Sequence, residues 1–180
     1  MVISFVGMSS SGKSAIGQGL CRRLKSTHPN TVLVDGDALR AAIAPDLQYT
    51  FEDRRESEAR RSKLCKFLSD QDIHVICTGL SNYPEWREWC RAHIQDYCEI
   101  YLDVPMAILH KRDSKGIYDR ALRGEIEHVV GVDIEFRPPA DPDLVIENTG
   151  KDSVDEIVDH ILSYTSEHFN FPAASTGSDR

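Results

Sequence analysis

The feature that most constrains what this chain can fold into is a glycine-rich segment near its start. Residues 7–14 read Gly-Met-Ser-Ser-Ser-Gly-Lys-Ser and fit the pattern G-x-x-x-x-G-K-S/T. An apolar run, Val2–Val6, precedes the segment, and a helical pattern with Ile16, Leu20 and Leu24 follows it. A strand, a glycine-rich turn and a helix N-terminus together point backbone N–H groups at phosphate oxygens. The segment therefore predicts a P-loop that binds a nucleoside triphosphate.

The P-loop pattern also assigns roles to its side chains. Lys13 is expected to reach the β- and γ-phosphates and to count among the catalytic residues, while the Ser14 hydroxyl is expected to ligate Mg²⁺. Mg²⁺ is accordingly the predicted cofactor. The residues expected to cradle the phosphates are Gly7, Ser9, Ser10, Ser11, Gly12, Lys13 and Ser14.

The composition of the chain limits the binding partners and the cellular location that we expect for the protein. At 180 residues, with a hydrophobic fraction of 41%, the chain is expected to form one globular domain. A formal net charge of −8 argues against a nucleic-acid partner, which usually needs a basic face. We expect no membrane partner and a cytoplasmic location, because no apolar run approaches spanning length and no basic segment precedes the first one. The five cysteines show no C-x-x-C spacing, which favours reduced thiols.

Apolar runs alternate with helical patterns along the chain. Runs that are apolar on both faces, alternating with helices, are typical of a parallel sheet covered on both sides. We therefore predict an α/β, three-layer fold of the P-loop NTPase type, with a five-stranded parallel sheet flanked by helices, in one domain over residues 1–169. The interval 113–142, rich in charge, Gly and Pro, is a predicted lid, and residues 170–180 are a predicted disordered tail. The expected strands are 2–6, 31–34, 74–77, 99–102 and 144–146, and the best-marked helices begin at Lys13, after Thr50 and after Ser153.

Polar residues follow two of the predicted strands. Asp35-Gly36-Asp37 comes directly after the second strand, and Gly79–Tyr83 comes after the third. In open parallel sheets, ligands bind at the carboxyl ends of the strands. Two carboxylates beside a P-loop suit Mg²⁺ handling and proton removal from an attacking hydroxyl. The alternative for this segment is a solvated turn without chemistry.

Two basic clusters accompany these carboxylates, and the first consists of Arg40, Arg54, Arg55, Arg60 and Arg61. We expect Arg40 and Arg54 to bind an anion, because the guanidinium group matches phosphate and sulfate oxygens. Arg55 and Arg61 are instead expected on a charged helix surface, paired with nearby glutamates. The second cluster, Lys111-Arg112-Asp113-Ser114-Lys115-Gly116, lies where the predicted lid begins and is expected to close on the transferring phosphoryl group.

Taken in order, these segments resemble the adenylylsulfate kinase family from about residue 1 to 165. The P-loop alone is shared by many proteins, and the lid segment is the most family-specific part. The matching segments are Gly7–Ser14, Asp35–Arg40, Asp53-Arg54-x-Glu56 with Arg60, Ser81-Asn82-Tyr83, Asp103-Val104-Pro105, Lys111–Tyr118, Gly124-Glu125-Ile126 and Gly131-Val132-Asp133.

The resemblance implies a reaction and a set of roles. Such kinases transfer the γ-phosphate of ATP to the 3′-hydroxyl of adenylylsulfate with Mg²⁺, in sulfate activation, and they are often dimeric. Asp37 is the implied general base or Mg²⁺-positioning residue, directly or through water, with Asp35 supporting it as a second catalytic carboxylate. Tyr49 occupies the position of a base-stacking Phe. Arg112 and Lys115 are implied to belong to a lid over ATP.

The departures from the family pattern gather on the acceptor side. Ser57 replaces an Asn, Ala59 replaces an Arg, Asn82 replaces a Pro, and Val129 replaces a Phe that forms half of an aromatic sandwich. The predicted substrate-binding residues are Asp37, Arg40, Tyr49, Arg54, Ser57, Ser81, Asn82 and Val129.

These departures leave the acceptor open. Cytidine diphosphoramidate kinases of capsule biosynthesis resemble the same family, and a smaller pyrimidine would need less stacking surface than adenine. A regulatory switch that binds ATP without an acceptor, and a kinase for an unrelated small alcohol or acid, are further alternatives.

Overall fold

A single twisted sheet of five parallel strands forms the centre of the molecule. The computed structural model describes residues 1–169 and 171. The strand order is β2-β3-β1-β4-β5, and every neighbouring pair is parallel, which confirms the predicted sheet. The strands are β1 (Val2–Val6), β2 (Thr31–Asp35), β3 (His74–Thr78), β4 (Tyr97–Asp103) and β5 (Leu144–Glu147).

Helices cover both faces of this sheet. Successive residues of a strand point to opposite faces, so Ile3 joins one core layer with residues of α1 and α7, while Val2 joins another with residues of α3 and α4. The predicted three-layer α/β arrangement is therefore confirmed. The helices are α1 (Lys13–Lys25), α2 (Gly36–Ile43), α3 (Phe51–Ser69), α4 (Pro84–His93), α5 (Met106–Arg112), α6 (Ile117–Leu122) and α7 (Val154–His168).

Side-chain caps fix the starts of two helices where the sequence predicts them. The Thr50 hydroxyl accepts a hydrogen bond from Asp53 N at 3.2 Å and opens α3. Ser153 and Glu156 form a reciprocal capping box at the start of α7. Each cap satisfies backbone N–H groups that have no partner inside the helix.

The interval 113–142 contains ordered structure of its own. Helix α6 lies within it, and its Tyr118 is fully buried in a small third core with Val104, Leu109 and Val129. The high content of charged residues, Gly and Pro in this interval therefore does not make it an open loop. Closure of this interval as a lid stays a prediction.

Three further sequence predictions concern membrane-spanning helices, the state of the cysteines and the C-terminal tail. In the described part of the chain, no helix has both the length and the apolar character that crossing a membrane requires. All five cysteines are buried free thiols. The predicted tail over residues 170–180 lies outside the described residues, apart from Phe171, whose ring stacks on His28 at 5.1 Å between centroids.

Candidate active site

The P-loop takes the shape that its glycine pattern predicts. Gly12 has a φ of 99° at the start of α1, and Ser10 has a φ of 65°. A Cβ at Gly12 would lie 2.5 Å from Asn148 Nδ2, so that position also needs glycine for space. Lys13 Nζ donates to Gly7 O at 2.7 Å and to Met8 O at 2.6 Å, which folds its side chain over the loop.

Lys13 has an unusual proton affinity. Burial is the largest influence and lowers the pKa of Lys13 to about 8, although the nearby Asp37 carboxylate acts in the opposite direction. The ammonium group is thus poised for a strongly anionic ligand, which would repay the cost of burying its charge.

Asp35 ends strand β2 with every hydrogen-bonding position of its carboxylate engaged. Oδ1 accepts from the N–H groups of Asp37 and Ala38, both at 3.2 Å, and so caps helix α2. Oδ2 accepts from Ser14 Oγ at 2.9 Å and from Thr78 Oγ1 at 3.0 Å. Burial alone would raise the pKa of Asp35, but these hydrogen bonds outweigh it and the pKa is lowered. Asp35 is therefore a fixed carboxylate joined to the P-loop.

Asp37 contrasts with Asp35 in its freedom. Its side chain is 83% exposed, and Oδ2 lies 3.0 Å from Lys115 Nζ. The other oxygen has no hydrogen bond from a described residue, and the carboxylate is near enough to Lys13 to raise its pKa against the larger effect of burial. Of the two carboxylates, Asp37 is the one with capacity to accept a proton.

The predicted acceptor residues Arg40, Tyr49 and Arg54 come together. The Tyr49 ring is 55% exposed, with the guanidinium of Arg40 at 4.6 Å and that of Arg54 at 5.0 Å from its centroid. Burial, and next the Arg40 charge, lower the pKa of Arg54. Two cations beside one exposed ring form a surface suited to a nucleotide, because anionic groups and a base are recognised there together.

The remaining predicted acceptor residues divide into several environments. Ser57 is half-buried on α3, and Ser81 is buried with its hydroxyl accepting from Arg61 Nη2 at 3.1 Å. Asn82 is 1% exposed and its amide is engaged by backbone, while Val129 is 6% exposed in the third core. Contact of these four with a substrate stays a prediction.

The surface prediction for Arg61 is wrong, whereas that for Arg55 is confirmed. Arg55 is exposed and pairs with Glu85 at 2.6 Å. The Arg61 side chain is only 11% exposed and lies 3.7 Å from the buried Glu58 carboxylate. Burial raises the pKa of Glu58 to about 7. Helix α3 covers the sheet at Arg61, and this tertiary contact overrides the polar pattern of the helix.

Sequence reasoning missed two residues that build the site. Thr78 holds Asp35, and Asn148 donates from Nδ2 to Ser11 O at 2.8 Å, which ties the end of β5 to the P-loop. Each follows or ends a parallel strand at its carboxyl end, so the rule that located Asp35 could have located both. The predicted lid residue Arg112 donates to Asn148 O at 2.9 Å, on the same side of the site.

The oxygen ligands near the P-loop fit Mg²⁺. The Ser14 hydroxyl and the Asp35 carboxylate are hard donors in direct contact, and Mg²⁺ in nucleotide sites is usually held by one or two such groups plus phosphates. Within residues 1–169 and 171, no cluster of three or more His, Cys, Asp or Glu forms a cage for a metal. The donor set therefore suits an ion that arrives with a nucleotide.

Comparison with known proteins agrees with this geometry. Residues 1–147 match the family model for adenylylsulphate kinase. The chain is 40% identical over 161 residues to the cytidine diphosphoramidate kinase of Campylobacter jejuni, covering 89% of this chain and 94% of that protein. It is 38% identical over 168 residues to the adenylyl-sulfate kinase of Clostridium acetobutylicum, covering 93% and 84%.

A solved structure gives the same assignment. The Mycobacterium tuberculosis APS kinase in complex with AMPPNP and APS matches with a TM-score of 0.83 at 30% identity, covering 92% of this chain and 96% of that one. Family model, relatives and architecture coincide over most of the chain. This protein therefore belongs to the adenylylsulfate kinase family and is an ATP-dependent kinase.

Proposed function

We propose that this kinase transfers the γ-phosphate of ATP to the 3′-hydroxyl of an activated nucleotide, with adenylylsulfate as the first candidate acceptor. The observation that carries the proposal is the pair of carboxylates at the end of β2. The Asp35 carboxylate accepts a hydrogen bond from Ser14 of the P-loop, and the Asp37 carboxylate is exposed and pairs with Lys115. A hydroxyl beside Asp37 would be in reach of both a proton acceptor and the phosphate-binding loop.

The two carboxylates have different roles in this proposal. Asp37 takes the proton from the attacking hydroxyl, because its carboxylate is exposed and has an oxygen to spare. Asp35 holds Ser14 and the start of α2 in place, since its own oxygens are already engaged. Lys13 stabilises the charge on the phosphates, and Lys115 approaches the transferring group from the predicted lid.

Mg²⁺ fits the same proposal as the cofactor that accompanies ATP. Ser14 would hold it, with Asp37 in reach through a water molecule, while the engaged Asp35 carboxylate would orient Ser14. When bound, the ion would neutralise charge on the phosphate oxygens. We place the reaction in the cytoplasm, and a homodimer stays a prediction that light scattering of the purified protein tests.

The acceptor site rests on Arg40, Tyr49 and Arg54. The exposed Tyr49 ring offers a stacking surface for a base, and the two guanidinium groups offer charge for a phosphate and for the activated group on it. Base–aromatic stacking contributes about 1–3 kcal/mol per base. The arrangement therefore supports a nucleotide acceptor over a small alcohol or acid.

One observation favours cytidine diphosphoramidate as a second candidate acceptor. Val129 packs in the third core at 6% exposure, so the position at which the family pattern has a sandwich Phe carries no aromatic ring here. A pyrimidine needs less stacking surface than adenine and loses less by the absence of a second ring. The 40% identity to the Campylobacter jejuni enzyme, which bears that activity in its name, supports the same candidate.

The test is a coupled assay of ADP release with Mg-ATP and either acceptor at micromolar concentration. Turnover with adenylylsulfate supports the first candidate, and turnover with the cytidine compound alone supports the second. ATP binding without turnover of either acceptor would contradict the proposal and favour an ATP-binding regulatory switch. Omitting Mg²⁺ in a parallel assay tests the cofactor.

A further inference from the structure

The side chain of Asn82 holds a distant segment of backbone. Asn82 lies four residues beyond the end of β3, and its Nδ2 donates to Glu135 O at 3.0 Å while its Oδ1 accepts from Arg137 N at 2.7 Å. Residues 135–137 are called the strap below. Both polar atoms of this amide bind strap backbone, and Asn82 is 1% exposed, so burial rather than lack of hydrogen-bonding capacity keeps it from a ligand.

The strap has a second, independent anchor. Arg87 is buried, and its Nη1 donates to Ser81 O at 2.6 Å and to Arg137 O at 3.0 Å. Loss of the Asn82 amide would therefore loosen the strap without detaching it. This makes Asn82 a position that can be changed without unfolding the chain.

The strap continues directly from a turn that contacts the acceptor site. Gly131 N donates to Ile134 O at 2.8 Å, and the Asp133 carboxylate accepts from His128 N, which holds the turn together. His128 O in turn accepts from Arg54 Nη2 at 2.7 Å. A shift of the strap would thus pass through the turn to the carbonyl that orients Arg54.

We propose that Asn82 is a positioning residue for the acceptor. By fixing the strap it fixes the His128 carbonyl, and so holds the Arg54 guanidinium beside the Tyr49 ring. The inference rests on the proposed function, in which Arg54 binds the anionic acceptor. It replaces the direct substrate contact that the sequence predicts for Asn82.

The ATP side of the site is held by different contacts. Asn148 binds Ser11 O, and the Tyr118 hydroxyl donates to Ser9 O at 2.8 Å. The Asn148 contact does not pass through the strap, whereas Tyr118 packs with Val129 of the turn in the third core. Disturbing Asn82 should consequently change acceptor binding more than ATP binding.

The experiment compares Asn82→Ala with Asn30→Ala, a control that loses an amide hydrogen bond to remote backbone at an exposed position. Asn30 also donates its amide to a backbone carbonyl, that of Asp72, but at the opposite end of the sheet. For Asn82→Ala we expect the acceptor KM to rise about five- to tenfold, the change expected for a lost buried hydrogen bond, with ATP Kd within about twofold. Asn82→Asp keeps an acceptor for Arg137 N–H but sets a carboxylate oxygen against Glu135 O at a buried position, and should raise the acceptor KM at least as much as Asn82→Ala.

Hydrogen exchange provides a readout that does not need turnover. The Arg137 amide proton should exchange faster in Asn82→Ala and remain protected in Asn30→Ala. An unchanged acceptor KM, an equal rise with Asn30→Ala, or an equal loss of ATP affinity would overturn the proposal. If the parent turns over neither acceptor, the proposed function fails separately, and unchanged exchange at Arg137 would still overturn the role of Asn82 in holding the strap.

Discussion

Lys115 Nζ lies 3.0 Å from Asp37 Oδ2, so a side chain at the start of the predicted lid touches the carboxylate after strand β2. Both side chains are largely exposed, and exposed pairs of this kind add little to folding stability. The contact is therefore better suited to bringing a cation to the reacting groups than to holding the fold.

Replacement of this cation should separate activity from stability. For Lys115→Ala we expect kcat to fall about tenfold or more, because one positive charge near the transferring phosphoryl group is lost. Thermal unfolding should be unchanged. Lys66→Ala is the matched control, since Lys66 also pairs with a carboxylate, that of Asp70 at 2.6 Å, at the end of α3. Equal losses of kcat in the two variants would contradict the role of Lys115.

The two carboxylates at the end of β2 should respond differently to substitution. Asp37→Asn should lower kcat by about 10²–10⁴-fold, the usual contribution of a general base, with ATP affinity largely retained. Asp35→Asn should weaken Mg-ATP binding. Loss of the Asp35 cap on α2 in Asp35→Ala should cost about 0.5–2 kcal/mol of unfolding free energy. Single-turnover kinetics measure the chemical step, nucleotide titration measures Mg-ATP affinity, and urea unfolding measures the unfolding free energy. Near-normal turnover of Asp37→Asn would refute its assignment as the base.

The lowered pKa of Lys13 gives ATP binding a pH dependence. The protonated ammonium binds the phosphates, and the free protein loses that proton as pH rises through about 8. Below this value Kd should be flat, and above it Kd should rise towards about tenfold per pH unit, because binding must then take up a proton. Fluorescent-ATP titration from pH 6.5 to 9.5 measures the profile. Lys13→Arg keeps its charge throughout, so a bend at the same pH in that variant would assign the effect elsewhere.

The buried pair of Arg61 and Glu58 should matter far more for stability than the exposed pairs of Arg60. Removing one member of a buried pair leaves the other charge uncompensated, so Arg61→Ala should cost about 3–5 kcal/mol at pH 8. Arg60→Ala, whose side chain pairs with Asp46 at the surface, should change the unfolding free energy little, because exposed ion pairs contribute little to stability.

The cost of Arg61→Ala should also depend on pH in a defined direction. Burial raises the pKa of Glu58 to about 7, well above the value for an unfolded chain. When the pKa of a carboxyl group is higher in the folded protein than in the unfolded chain, the protein loses stability as pH rises from the unfolded pKa towards the folded one. The cost should therefore shrink at pH 5.5, where Glu58 is neutral. Urea unfolding at pH 5.5 and 8 measures it, and equal costs at both would mean that Glu58 is not the affected group.

Much of the fold was predictable because buried parallel strands leave a plain pattern. In an acidic, charged chain, the short apolar runs at β1 and β3 indicate buried strands. The Ser153–Glu156 capping box marks the start of α7. The burial of Arg61 left no such signal, since an Arg three residues after a Glu looks the same on a surface and under a sheet. Only the docking of α3 against β3 distinguishes the two.

The active site was predictable where one strand end carries its own chemistry. Asp35 and Asp37 stand out because they follow an apolar run, and Thr78 and Asn148 could have been added by the same rule. The role of Asn82 could not, because its partners are backbone groups more than fifty residues away that any sequence could supply. Side-chain contacts to remote backbone depend on the path of the chain.

Val129 offers a direct test of acceptor choice. Val129→Phe places a ring at the position where the family pattern has one, and should shift the ratio of kcat/KM for adenylylsulfate over cytidine diphosphoramidate upward by about tenfold, the effect of one stacking contact. The larger side chain must fit among Val104, Leu109 and Tyr118, so unfolding free energy should fall by about 1–3 kcal/mol. Val129→Ile is the control, because it adds volume without a ring. An unchanged ratio in Val129→Phe would show that this position does not reach the acceptor base, and an equal shift in Val129→Ile would assign the effect to packing.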